Sequence, residues 1–95
     1  MDISQIAQRM QQGVSHRPID GSLKFDCGDE GVIVLSGDAV GRDDRATDCT
    51  IKISLANLGK LVSGKLNPMT GVVTGKLKVS GDTRVALKLG ELLKR

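Results

Sequence analysis

The side chains of this chain with the most chemistry in them are Cys27, Cys49 and its single imidazole, His16. Nucleophilic catalysis needs a serine or cysteine within reach of a base. His16 stands in a polar connection beside Arg17-Pro18 and reads as a solvated loop histidine. Two cysteines are too few for a disulfide framework and too far apart for a paired C-x-x-C ligand motif. They read as buried thiols behaving as small apolar residues. A zinc site built on them and His16 would need carboxylates to complete it, so no metal and no cofactor is expected. The adjacent acids Asp29-Glu30 and Asp43-Asp44 fall in turns, whereas a general acid/base pair requires a cleft that separates its pKa values. Gly71-Val72-Val73-Thr74-Gly75-Lys76 has the flavour of a phosphate-binding loop but is one residue short between its glycines and lacks Ser or Thr after the lysine. No catalytic constellation emerges.

Charge is more informative. Residues 1–48 carry 5 Lys/Arg against 9 Asp/Glu, a net −4, while residues 49–95 carry 9 against 2, a net +7. A basic half points to anionic lipid surfaces, phosphate-bearing ligands or nucleic acid, or else to lysines that solvate the outside of a sheet. Single-stranded nucleic acid is bound on stacking aromatics, and Phe25 is the only aromatic residue of the chain, so no nucleic acid is expected as a partner. The opening Met1-Asp2-Ile3-Ser4-Gln5 lacks a basic start and apolar run, and no stretch approaches membrane-spanning length, so a soluble cytoplasmic protein is expected.

The 95 residues fit a single domain whose interior must be made of Leu, Val and Ile. Ile3, Ile6, Ala7 and Met10 recur at helical spacing, with Asp2 as N-cap and Gly13 as the expected stop. Leu23, Phe25 and Cys27 alternate with polar neighbours, Gly28-Asp29-Glu30-Gly31 turns the chain, and Val32–Leu35 is an apolar run of strand length. The stretch 39–46 holds an edge strand and a charged loop. Cys49, Ile51 and Ile53 alternate again. A helix over 54–63 buries Leu55, Leu58, Leu61 and Val62 and stops at Gly64; Pro68 starts a short second one. Residues 76–80 form a strand, and a last helix over 82–94 turns Val85, Ala86, Leu89, Leu92 and Leu93 to one side. One-faced strands and striped helices assemble as an α+β fold, a mainly antiparallel sheet with helices packed on one face. By itself this pattern fits a filled aliphatic core better than a cavity.

The second half resembles the sterol carrier protein type 2 family. The resemblance lies in Asp48-Cys49-Thr50-Ile51, Gly64-Lys65-Leu66-Asn67-Pro68, Gly75-Lys76-Leu77-Lys78-Val79-Ser80-Gly81 and Ala86-Leu87-Lys88-Leu89, in this order and spacing. It is specific over roughly residues 47 to 90. It implies a five-stranded sheet, helices on one face and an apolar cavity between them that takes a fatty acid, fatty acyl-CoA, sterol or phospholipid, with no enzyme activity. The cavity wall it implies comprises Ile33, Leu35, Ile51, Ile53, Leu77 and Val79 from strands, and Leu58, Leu61, Val62, Met69, Val72, Val73, Val85, Leu89 and Leu92 from helical segments. Lys60, Lys65 and Lys88 would rim its mouth and meet a carboxylate or phosphate, with transient contact to an anionic membrane surface. Members often carry aromatic residues where this chain has Val32–Leu35 and Val72-Val73, so a softer pocket suited to chain-like lipids is expected. The ending Leu92-Leu93-Lys94-Arg95 carries no peroxisomal signal, which fits a stand-alone, bacterial-style member. The second reading is an interaction module, or an accessory to a lipid enzyme, that uses the same fold with a collapsed core.

Overall fold

The computed structural model describes residues 2–86. Helix α1 (Ile3–His16) opens on a reciprocal cap: the Gln5 N–H donates to Asp2 Oδ1 at 2.9 Å and the Asp2 N–H donates to Gln5 Oε1 at 2.9 Å. Its stripe of Ile3, Ile6, Met10 and Val14 is buried. The expected stop at Gly13 does not occur. Burying Val14 outweighs the roughly 1 kcal/mol a glycine costs in a helix, and the chain leaves the helix at Arg17 because the following Pro18 disfavours helical backbone there.

The strands β1 (Ser22–Asp26), β2 (Val32–Ser36), β3 (Ala39–Gly41), β4 (Cys49–Ile53) and β5 (Leu77–Gly81) form one sheet in the order β3-β2-β1-β4-β5. Three pairings are antiparallel, and β1 runs parallel to β4. Register lays apolar rows across the face that meets the helices. One row runs Ile33, Phe25, Ile51, Val79, the next Val40, Leu35, Leu23, Cys49. Phe25 stands fully buried at the centre.

The parallel pair forces residues 42–48 to travel from one edge of the sheet back past β1. They do so on the face away from the helices, where Lys24 Nζ pairs with Asp44 at 2.6 Å and Val34 is buried although it points away from the core cluster. The crossing ends at Asp48, whose Oδ2 accepts the Ser22 N–H at 3.0 Å while its own N–H donates to Ser22 Oγ at 2.9 Å.

Helix α2 (Leu55–Val62) is capped by Ser54, whose Oγ accepts the Asn57 N–H, and buries Leu58 and Leu61 against α1 and the sheet. Gly64 takes the left-handed backbone, φ 80°, that lets the Lys65 and Leu66 N–H groups close on the Lys60 carbonyl. Helix α3 (Pro68–Val73) follows and packs on β5. Residues 83–86 are helical, and the remainder of the expected last helix lies outside the described residues.

Candidate functional site

The surface that β1, β2 and β4 turn towards the helices is wholly apolar, and among the described residues no polar or charged side chain is buried. Of the expected cavity residues, Ile33, Leu35, Ile51, Ile53, Leu58, Leu61, Leu77 and Val85 are buried together in the core that unites sheet, α1 and α2. Val62 and Val79 pack half-buried against it. The Met69 side chain, Leu89 and Leu92 lie outside the described residues. α1 adds Ile3, Ile6, Met10 and Val14 to the same apolar body; the sequence reading placed the first three on a helix stripe but not at the ligand, and ended the helix before Val14.

Val72 and Val73 are not where the cavity wall expects them. They are 48% and 84% exposed. The cause is Gly71, which α3 presses onto β5 so closely that a Cβ there would sit 2.8 Å from Leu77 Cδ2. At about 100° per residue, a helix that points position 71 inward turns position 72 sideways and position 73 outward.

The expected rim also divides. Lys60 and Lys65 are exposed at and just beyond the end of α2, and Lys88 lies outside the described residues. A different set of lysines is gathered by the sheet. Where β1 and β4 end and β5 begins, an open groove of about 470 Å³ is lined by Asp26, Cys27, Ile53 and the ammonium-bearing Lys52, Lys76 and Lys78. Lys52 and Lys78 are direct cross-strand partners, and Lys52 is likewise opposite Asp26 on β1. Sequence reasoning missed this cluster because its members meet only through strand register; the alternating Lys76 and Lys78 were its one local signal.

The groove has no activated nucleophile. Burial, and then the carboxylates of Asp26 and Glu30, push the Cys27 thiol above its ordinary range and keep it protonated. Burial also raises the Cys49 thiol, with Asp82 adding to the effect. No group of His, Cys, Asp and Glu able to hold a metal ion occurs among the described residues. What the arrangement offers is apolar burial beside a positive bank.

The sequence profile of the SCP-2 sterol transfer family matches residues 5–94. Over 56 residues the chain is 39% identical to sterol carrier protein 2 of Bos taurus, a match that covers 59% of this chain and 10% of that protein, so the chain corresponds to about a tenth of its curated relative. The fold is that of sterol carrier protein 2 like 2 from Aedes aegypti, at TM-score 0.80 and 20% identity over 94% of both chains. The palmitated form of the Aedes protein aligns with 100% of this chain and 96% of its own at TM-score 0.77 and 21% identity.

Proposed function

The chain belongs to the SCP-2 sterol transfer family, and on that premise we propose that it is a non-enzymatic carrier of apolar lipids, fatty acids foremost, held between the sheet and its helices. One observation carries the reading: the chain follows over its whole length the fold of a protein whose solution structure is palmitated. Its own chemistry agrees. Among the described residues no polar or charged side chain is buried, an interior suited to holding an acyl chain. Each methylene moved from water into such an interior gains about 0.8 kcal/mol, so a chain of about fourteen gains on the order of 11 kcal/mol, from which ordering costs of a few kcal/mol can be subtracted and micromolar binding retained. The carboxylate, phosphate or hydroxyl of the lipid stays at the surface, where the basic half of the chain receives acidic head groups. Delivery brings the protein into transient contact with an anionic membrane surface.

The test is displacement of a fluorescent fatty acid by palmitate from delipidated protein, with native mass spectrometry of the protein as first purified. Saturable displacement at micromolar palmitate or below is expected. A protein that takes up neither the probe nor any copurified lipid is not a carrier.

A further inference from the structure

We propose that the free edge of β5 takes up an extended peptide segment of another protein as a further strand of the sheet, and that this segment alternates acidic with small apolar residues. The inference is independent of the carrier reading, because it concerns the rim of the sheet and not the space between sheet and helices.

The two ends of the sheet are finished differently. Among the described residues β3 and β5 are its outermost strands, and an outermost strand turns every second backbone N–H and C=O away from the sheet. On β3 a side chain closes these groups off. Gln11 of α1 lays its amide along the edge, where its Oε1 accepts the Val40 N–H at 3.2 Å and its Nε2 donates to the Asp38 carbonyl at 2.8 Å. On β5 the outward groups follow from register. The Asp82 N–H donates to the Asp48 carbonyl at 2.8 Å, so the even-numbered residues of β5 exchange hydrogen bonds with β4. Leu77, Val79 and Gly81 then present theirs to the other side. Among the described residues no group hydrogen-bonds to the outward N–H or C=O of Val79. β5 is therefore an open template where β3 is a sealed one.

The side chains say what kind of strand fits. Lys78 and its cross-strand partner Lys52 alternate with the buried Leu77, Ile51 and Ile53, so both stand on the face away from the helices, and Lys76 lines the same groove. Two like charges directly opposite one another destabilise a strand pair, and among the described residues no ion pair engages any of the three lysines. Asp26, opposite Lys52 on β1, instead accepts the Gly28 N–H at 2.9 Å. A strand added beyond β5 sets one side chain directly opposite Lys78 on this face. Glu or Asp there supplies the missing countercharge, and a second acid two positions away reaches Lys76. The residue between them falls on the helix side beside Leu77 and the half-buried Val79, the side on which α3 leaves Val72 exposed, and this calls for a small apolar side chain. The same lysines disfavour a second copy of this chain, since β5 paired with β5 gathers three ammonium groups from each copy on one face.

The test is a nuclear magnetic resonance titration of the isotope-labelled full chain with a capped peptide that alternates Glu and Val over about seven residues. The amide signals of Leu77, Val79 and Gly81 are expected to move. The Val79 amide should exchange with solvent on the order of tenfold more slowly, while that of Val40, already held by Gln11, does not change. Lys78→Gln, at an exposed position, weakens binding on the order of fivefold, and raised salt also weakens it. N-methylation separates backbone pairing from attraction of charge alone. Methyl groups on the Val nitrogens of the peptide, which would face Val79, abolish binding; methyl groups on its Glu nitrogens, which face away, leave it intact. An N-methyl-Val peptide that binds equally well reduces the edge to a patch of charge and overturns the proposal. Shifts that spare β5, or no binding of the unmethylated peptide, overturn it too. Sedimentation velocity of the chain alone tests the other occupant: a concentration-dependent dimer in which the Val79 amide is already protected assigns the edge to a second copy and likewise overturns the proposal.

Discussion

Gly81 and Gly28 both hold a left-handed backbone, with φ of 87° and 65°, yet the structure treats them differently. A Cβ on Gly28 would meet nothing within 4 Å, whereas one on Gly81 would run into the Asp48 carbonyl oxygen. That carbonyl accepts the Asp82 N–H at 2.8 Å, so the close approach is what ties the end of β5 to the start of β4. Gly28→Ala therefore carries only the backbone cost, about 1 kcal/mol. Gly81→Ala adds a collision with main chain that no rotamer relieves, and is expected to cost about 3 kcal/mol, lowering Tm by on the order of 15 °C in a chain this size. Thermal melts of the two variants measure the difference; equal shifts would mean that β5 is not held at this joint. The four-residue Asp48 motif and the glycine that ends the Gly75–Gly81 motif are thus two halves of one contact, which explains why they stand out together in the sequence. The sequence shows the residue types but not their meeting.

The elements were legible where their signal is local. Alternation gave β1 and β4, the 3.6-residue stripe gave α1 and α2, and turn residues gave most boundaries. What escaped is non-local. Nothing in residues 22–26 and 49–53 says that these two strands run parallel, and the charged stretch after β3 gives no sign of where it passes. Val32–Leu35 carried an indirect trace of it. Consecutive apolar residues in a sheet with one wet face are surplus to alternation, and the surplus one, Val34, is buried opposite Lys24, the residue that pairs with Asp44 of the 42–48 crossing. The lysine bank escaped for the same reason, because Lys52 and Lys78 are neighbours only through register. Two forces hold the crossing, and magnitudes decide between them. Asp44 is 70% exposed, so its ion pair with Lys24 is screened and Asp44→Ala is expected to cost under about 1 kcal/mol. Val34 is 2% exposed, and Val34→Ala removes buried methyl groups at about 2 kcal/mol. Denaturant titration of both variants gives the ranking, and a larger loss for Asp44→Ala would make the crossing an electrostatic rather than a hydrophobic clasp.

At the scale of the whole molecule, a chain of 95 residues, whose described part has a radius of gyration of 11.6 Å, has little stability in reserve, about 5–14 kcal/mol. Apolar surface turned towards a lipid is surface that does not pack on protein in its absence, so core and ligand share one source of stabilisation. Ligand binding and folding must then be linked: a lipid held only by the folded chain, present at 100 times its dissociation constant, adds about 2.7 kcal/mol. For a protein this small that corresponds to a rise in Tm of on the order of 10 °C or more. Because the gain comes from methylenes, it should grow through a series of saturated fatty acids of increasing length, then level off once the chain exceeds the enclosed space. It should be indifferent to salt, since among the described residues no charged side chain is buried. Contact of the basic half with an anionic membrane has the opposite dependence, weakening as salt screens the membrane charge and indifferent to acyl length. Differential scanning calorimetry over chain length and ionic strength reads the first, and vesicle partition under the same conditions reads the second. A melting temperature that ignores acyl length but tracks salt would place the lipid's contribution at the charged surface and not in the aliphatic interior.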